Sequence, residues 1–242
     1  METKKAVKTV KKWSKNMQVA HKAVKSGVEY TIEDAVAVLK KVSYLKFVST
    51  VEISVKLNID TRKSDQNVRG TVCLPHGTGK AVKVCVICDP SQYEEATNAG
   101  ADKVGGQEIV EEIKAGVIDF DVCIASPSAM RFLGEIAKIL GPKGLMPNPK
   151  LGTLTPKIGN AVTASKAGRV EFRAERSGVV NLGVGKLDFP VEHLQTNIKT
   201  VIEALLSAKP KDTKGRYVIS LYLSSTMGPG IKLDRKSLDL GL

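Results

Sequence analysis

Hydrophobic spacing in the first third of the chain predicts one helix followed by two strands. Apolar residues recur at helical intervals over residues 32–42. Thr31 precedes this stretch, and Asp34 three residues later gives the spacing of a helix N-cap. Residues 51–57 alternate strictly between apolar and polar side chains, which indicates a half-buried strand in an antiparallel sheet with one solvated face. Residues 71–75 are predicted to form a second short strand.

The pattern changes after Gly77, where short apolar runs begin to alternate with amphipathic stretches. Residues 81–88 are nearly all apolar, broken only by Lys83, which is typical of a buried parallel strand. This alternation predicts a small parallel sheet flanked by helices. Its further elements are a short helix capped by Ser91, strands at 102–104 and 121–125, and helices at 107–115, 127–140 and 156–167.

Strand character returns after Gly168. Alternation over residues 169–174 and a Ser-Gly turn at 177–178 predict a hairpin over residues 170–184. A helix over 190–207 and a strand over 218–223 follow, and residues 231–242 carry no strong signal.

We therefore predict a fold that combines α/β and α+β classes in a discontinuous two-domain protein. Residues 1–77 plus 169–242 would form an α+β domain, and residues 78–168 an inserted Rossmann-like parallel α/β domain. Two chain crossings between such domains permit a hinge while limiting its freedom.

Residues 141–153 contain three prolines, three glycines and two lysines. We expect no helix or strand to pass through this composition, because proline fixes φ and removes a backbone donor. The segment is predicted to be a long basic loop that serves as a binding loop or a hinge, with a plain connection as the alternative.

The charge distribution favours a polyanionic partner. The chain of 242 residues carries a net charge of +12. Residues 1–77 have a net charge of +8, residues 78–168 are neutral, and residues 169–242 have +4, so the two ends hold all of the excess. If the ends fold together, one part of the protein attracts a phosphate backbone. Residues 1–25 hold eight lysines and one glutamate, and they are either a solvated arm or a segment near nucleic acid.

No enzyme, cofactor or metal chemistry rises above background. Gly77-Thr78-Gly79-Lys80 lacks the Ser or Thr that ends a phosphate loop, and it precedes a strand instead of following one. Cys85 and Cys88 lie in an apolar strand without further zinc ligands, so we interpret them as core residues. The chain has no secretory signal and no apolar run long enough for a bilayer, which favours a reduced cytosolic compartment.

Two polar stretches are candidates for RNA binding. Phe47 stands next to Lys46 in a polar turn, where it is either a core anchor or a ring presented to RNA beside a phosphate-binding lysine. Residues 225–230 offer hydroxyls, a methionine and glycines, which suit contacts to 2′-hydroxyls, phosphates and a base face. The alternative for this second stretch is a simple turn after a strand.

Several unusual motifs resemble those of the ribosomal protein L-one family, the stalk proteins of the large ribosomal subunit, in their bacterial or organellar form. They follow the family's order and span about residues 30–234. They are SDQNVRGTV at 64–72, LPHG at 74–77, GAD at 100–102 with GG at 105–106, FD at 120–121, ILGP at 139–142, MPNPK at 146–150 with GT at 152–153, and TMG at 226–228. Residues 235–242 show no such match.

The resemblance implies two domains, with the main contact to large-subunit rRNA on the terminal one. It also implies a mobile stalk that helps deacylated tRNA leave the exit site, and repression of the protein's own operon mRNA. The protein would be cytoplasmic, without a membrane partner, and monomeric when free. The predicted RNA-binding residues are Lys46, Phe47, Thr50, Lys186, Ser225, Thr226, Met227 and Gly228.

Residues 141–153 are then mainly a family identifier, with Lys143 and Lys150 as candidates for secondary RNA contacts. Two other hypotheses stay open at this point. One is an enzyme that binds a ligand at the carboxyl ends of the parallel strands. The other is a basic RNA-binding module that works outside the ribosome.

Overall fold

The structure, a computed structural model, describes residues 13–24, 27–210, 213 and 215–235. Most of the basic arm 1–25 and nearly all of the tail 235–242 lie outside the described residues. The helices are α1 Lys15–Ala23, α2 Ile32–Val42, α3 Tyr93–Asn98, α4 Gln107–Lys114, α5 Met130–Lys143, α6 Ile158–Lys166 and α7 Val191–Ser207. The strands are β1 Thr50–Leu57, β2 Arg69–Cys73, β3 Val84–Ile87, β4 Lys103–Gly105, β5 Val122–Ala125, β6 Arg169–Arg173, β7 Val179–Lys186, β8 Val218–Ser225 and β9 Ile231–Lys232.

An antiparallel sheet in the order β7-β1-β8-β9 contains strands from both ends of the chain. The apolar residues that alternate along β1, from Val51 to Leu57, are all buried, and the residues between them face outward. Helices α2 and α7 pack together and contact this sheet. The predicted helix at 32–42 begins as expected, because the Thr31 side chain accepts a hydrogen bond of 3.2 Å from the Asp34 backbone N–H.

The predicted hairpin over residues 170–184 is wrong. β6 pairs with β2 in a separate two-stranded sheet, and β7 pairs with β1. A turn does form, with the Gly178 backbone N–H bonded to the Glu175 carbonyl at 2.8 Å, but the strands on either side of it join different sheets. Pairing with β1 places Val180, Leu182 and Val184 in the core, and burial of these side chains outweighs the local hairpin.

A parallel sheet in the order β4-β3-β5 lies in the middle of the chain. Both faces of β3 are covered: Cys85 and Ile87 pack on one side, and Val84, Val86 and Cys88 on the other. Burial of both cysteines confirms that they are core residues, and it raises the pKa of Cys88 to about 11. Such two-sided burial is typical of parallel sheets.

Asp102 joins this sheet to a neighbouring helix. Its carboxylate accepts a hydrogen bond of 2.9 Å from the Val84 backbone N–H and lies 3.2 Å from the Lys166 ammonium group. The backbone hydrogen bond is the main cause that lowers the pKa of Asp102, and Lys166 adds to it.

Two further predictions in this part of the chain are corrected. Ser91 caps no helix, because it lies inside a 3₁₀ helix, Pro90–Gln92, and α3 begins only at Tyr93. Proline suits the first position of a helical turn, so the turn starts before Ser91. The segment 141–153 also contains helical structure, in the end of α5 and in a 3₁₀ helix, Pro149–Leu151.

Helix α5 continues past Pro142 because its end is stabilised locally. Gly144 adopts a left-handed conformation with φ of 73°, and its N–H bonds to the Gly141 carbonyl. The Leu145 N–H bonds to the Leu140 carbonyl, which completes a Schellman motif. Leu140 and Leu145 belong to the same apolar cluster, as this motif favours. The missing donor of Pro142 therefore costs only one hydrogen bond in the last turn.

The buried apolar residues form separate groups along the chain. One group, the terminal core, draws its members from residues 32–74 and 172–233. The others, the middle core, come from residues 84–162. The chain passes between these cores at residues 75–83 and 163–171, and the two passages touch. A Cβ added to Gly168 would lie 2.5 Å from the Gly77 Cα, and the Leu74 N–H bonds to the Gly168 carbonyl at 3.2 Å.

Asn197 of α7 is fully buried and fixes the first passage to the terminal core. Its side-chain oxygen accepts from the His76 N–H at 3.2 Å, and its amide nitrogen donates to the carbonyls of Gly77 and Val184.

No helix among the described residues has the length and apolar character needed to cross a bilayer.

Candidate nucleic-acid interface

The ends of three strands meet at one edge of the antiparallel sheet. Thr50 begins β1 and lies opposite Lys186, the last residue of β7. The next residue of β1, Val51, lies opposite Ser225, the last residue of β8. Antiparallel pairing thus joins three segments that are far apart in sequence. We call residues 44–50, 186 and 225–228 the strand-end surface.

Hydrogen bonds connect the segments of this surface. The Lys186 ammonium donates to the Thr50 hydroxyl at 3.0 Å. The Thr50 backbone N–H donates to the Thr226 hydroxyl at 3.1 Å, and the Thr226 N–H donates to the Thr50 carbonyl at 3.1 Å. The structure therefore brings together three of the residues that the sequence singled out.

Large apolar side chains are exposed on the same surface. Phe47 is 51% exposed and Met227 is 54% exposed, which excludes the interpretation of Phe47 as a core anchor. Tyr44 and Val48 are also exposed, and the Tyr44 hydroxyl donates to the Met227 carbonyl at 3.0 Å. Clustered exposed apolar groups mark a binding surface more often than a plain turn.

The turn after β8 depends on a glycine. The Gly228 N–H bonds to the Ser225 carbonyl at 2.9 Å, and a Cβ added to Gly228 would lie 2.1 Å from the Ser225 hydroxyl oxygen. Ser225 is itself buried, so its side chain lies beneath the turn and supports it. Thr226 and Met227 are exposed at the tip.

The charge of the strand-end surface is positive. Its residues include Lys46 and Lys186 and contain no aspartate or glutamate. Lys46 is exposed and Lys186 half-buried, and neither forms an ion pair with any residue that the structure describes. Two cations beside exposed rings and hydroxyls are suited to phosphates, base faces and 2′-hydroxyls, the groups by which single-stranded RNA is recognised.

Sequence reasoning missed Tyr44 as a member of this surface. Tyr44 comes just after the predicted end of α2, so it looked like an ordinary residue in a connection. Its hydroxyl donates a hydrogen bond to a carbonyl 183 residues away, which no local pattern reveals.

Lys143 and Lys150 lie elsewhere, at the end of α5 and in the 3₁₀ helix that follows, and both are exposed. A cavity of about 260 Å³ separates part of their segment from β6. Gly152 of this segment packs against the Arg169 guanidinium, since a Cβ added to Gly152 would lie 2.6 Å from a nitrogen of that group.

Within the described ranges, no cluster of three or more His, Cys, Asp or Glu side chains is placed to hold a metal ion.

Comparison with known proteins decides the family. The model of the ribosomal protein L1p/L10e family matches residues 39–229. The chain belongs to the ribosomal protein L1p/L10e family. Two curated relatives, both called large ribosomal subunit protein uL1, agree with this result. The protein of Rickettsia rickettsii (strain Sheila Smith) is 51% identical over 98% of this chain and 100% of its own length. That of Rickettsia prowazekii (strain Madrid E) is 52% identical over 93% of this chain and 94% of its own.

The match to the ribosomal protein L1p/L10e family confirms the resemblance inferred from the motifs. The matched residues begin inside α2 and include the whole strand-end surface. The ribosomal protein L1p/L10e family is structural and non-enzymatic, so the enzyme hypothesis for the parallel sheet is excluded.

Proposed function

We propose that this protein is a structural component of the large ribosomal subunit in the cytoplasm and that it binds large-subunit rRNA through the strand-end surface. Its relatives are named as large-subunit proteins, and rRNA is the partner that such a protein meets. The observation that carries the proposal is the exposure of Phe47 and Met227 beside Lys46 and Lys186 on a surface without carboxylates.

Some of the predicted residues would touch the RNA, and the others hold those residues in place. Phe47 and Met227 lie against nucleotides, where a ring can stack on a base. Lys46 and Lys186 neutralise phosphates. Thr226 is exposed at the turn, and its hydroxyl, which accepts a hydrogen bond from the Thr50 N–H, retains an acceptor position for a 2′-hydroxyl. Thr50, Ser225 and Gly228 hold the strand ends and the turn in place through the hydrogen bonds and close contacts described above.

We also propose that the chain is divided into two domains, residues 1–77 plus 169–242 and residues 78–168. The separation of the terminal core from the middle core supports this division. The charge distribution supports it too, because the first unit carries the whole net charge of +12 and the second is neutral.

Further roles follow from the family. In the ribosome the protein would help deacylated tRNA to leave the exit site, with Lys143 and Lys150 as candidate contacts because both are exposed. Off the ribosome it would be a monomer and would repress its own operon mRNA. One surface would serve both RNAs, so rRNA and mRNA should compete for the protein.

A fragment experiment tests the domain and RNA proposals together. A chain that joins residues 1–77 directly to 169–242 keeps the whole terminal core, and Gly77 already lies against Gly168 at the junction. We expect this fragment to bind an rRNA transcript nearly as well as the full chain. Circular dichroism should show that both fragments are folded. The proposal is wrong if a fragment of residues 78–168 carries the affinity for rRNA instead.

A further inference from the structure

A groove with several cations lies at the end of the antiparallel sheet opposite the strand-end surface. It has a volume of about 470 Å³ and is lined by Thr61, Asn67, Arg173, Ala174, Glu175 and Arg176. We call these residues the distal groove. β1 begins at the strand-end surface and ends at Leu57, next to the loop that supplies Thr61. Eight strand residues separate the two sites by about 25 Å, at about 3.3 Å per residue.

The backbone of both walls is fixed by hydrogen bonds. The Thr61 hydroxyl donates to the Arg176 carbonyl at 2.7 Å, and the Ala174 N–H donates to the Val68 carbonyl at 2.9 Å. The Lys56 ammonium donates to the Ser177 carbonyl beside them. A ligand would thus meet a preformed groove, and little ordering of the chain would oppose binding.

The cations at this groove have no anionic partner among the residues that the structure describes. Arg173 and Arg176 are exposed, and within the described part of the chain their guanidinium groups make no ion pair or hydrogen bond. The same is true of the side chains of Arg62 and Lys63 on the facing loop. By contrast, Arg69 in the adjacent strand is paired with a carboxylate at 2.7 Å.

The neighbouring carboxylates are engaged within the protein. Glu175 accepts a hydrogen bond of 2.8 Å from the Asn181 side chain, and Asp60 accepts one of 3.2 Å from the Arg62 N–H. Asp65 also has a partner within the protein. Neutral donors leave the charge of a carboxylate in place, so the balance follows from the count: Arg62, Lys63, Arg173 and Arg176 exceed Asp60, Asp65 and Glu175 by one positive charge.

We propose that the distal groove is a second RNA contact that holds the phosphate backbone of a segment of the same rRNA. This inference rests on the proposed function, which supplies the RNA. Unpaired arginines bind phosphate oxygens in a bidentate manner, and the hydroxyl of Thr61 and the amide of Asn67 are suited to ribose. None of the lining residues is a large apolar side chain, which disfavours an apolar peptide. The two contacts lie about 25 Å apart, so an RNA oligonucleotide too short to span that distance fills only one of them.

The test removes two charges from the groove. In the double variant Arg173→Gln and Arg176→Gln, binding of a full-length large-subunit rRNA transcript is measured as a function of salt. The matched control is Arg131→Gln with Lys138→Gln, two exposed cations of α5 whose loss changes the net charge equally. Loss of two phosphate contacts should reduce the slope of log K against log salt by about 1.5, at about 0.7–0.9 per phosphate. The control should leave the slope unchanged.

Hydroxyl-radical footprinting of the same complexes provides a second measurement. The wild-type protein should protect two separate RNA segments, and the groove variant only one of them. Both variants alter exposed side chains, so thermal unfolding should match the wild type.

The outcomes separate this inference from the proposed function. Equal slopes and equal footprints for the groove variant and its control would overturn the distal contact. If Phe47→Ala weakens binding in the same assay, the strand-end proposal survives that loss. If the wild-type protein does not bind the transcript at all, both proposals fail.

Discussion

Truncation of Phe47 tests the strand-end surface with little effect on the fold. Its side chain is 51% exposed, so Phe47→Ala removes only half of the burial available to a phenylalanine. Full burial is worth about 1.5–3 kcal/mol, which gives a loss of about 1 kcal/mol in the free energy of unfolding. For a chain of this size the melting temperature should fall by about 2–4 °C.

The same change should have a larger effect on RNA binding. Stacking of a base on an aromatic side chain is worth about 1–3 kcal/mol by alanine substitution. The dissociation constant for rRNA should therefore rise about 5- to 150-fold. Fluorescence anisotropy with a labelled rRNA transcript measures this change. The salt concentration is held fixed, because binding to phosphates depends on salt.

Val117→Ala is the matched control for this experiment. Val117 is 53% exposed, close to the 51% of Phe47, but it follows α4 in the middle of the chain. Val117→Ala should leave the dissociation constant for rRNA unchanged. If Phe47→Ala binds rRNA as tightly as Val117→Ala, the ring does not contact RNA. If Phe47→Ala loses both affinity and its circular dichroism signal, the residue acts through the fold.

Three further changes follow from the structure. Gly228→Ala places a methyl group 2.1 Å from the Ser225 hydroxyl oxygen, so the Ser225 side chain or the turn must shift; we expect about a tenfold loss of rRNA affinity by anisotropy with a nearly unchanged melting temperature. Gly168→Ala combines φ of 103° with a contact of 2.5 Å to Gly77 and should lower the free energy of unfolding by about 1–3 kcal/mol in urea; unchanged stability would contradict the close passage. Asp102 has a lower pKa in the folded chain than the usual value of about 3.9, so its stabilisation is present above about pH 4 and is lost as pH falls through the folded pKa. Asp102→Asn should therefore be less stable than wild type at pH 7 and should approach it below pH 4 in urea titrations at several pH values.

Local chemistry explains which parts of the fold were predictable. Thr31 marks the start of α2 correctly because a cap needs only a hydroxyl and a backbone N–H three residues away. The alternation of β1 likewise reports directly on burial. The partner of β7 was not predictable from its neighbourhood, because β1 lies more than 120 residues away. The pairing is favoured because it buries the apolar side chains of β7 in the terminal core. β9 is only two residues long, too short to show alternation.

The candidate site shows the same limit. Phe47 and Met227 stand out in the sequence as apolar residues in polar turns, and the family resemblance singles them out as well. That they lie on one surface depends on the pairing of β1 with β8 and on the hydrogen bond from Tyr44. These contacts join residues about 180 positions apart, and periodicity carries no information at such separations.

Site-specific crosslinking tests the central claim most directly. A photoreactive benzophenone amino acid is placed at Met227 in one protein and at Val117 in another, two exposed positions of similar accessibility. Each protein is assembled with large-subunit rRNA, irradiated, and the crosslinked nucleotides are mapped by primer extension. We predict an rRNA crosslink from position 227 and none from position 117. An rRNA crosslink from position 117 without one from position 227 would contradict the account.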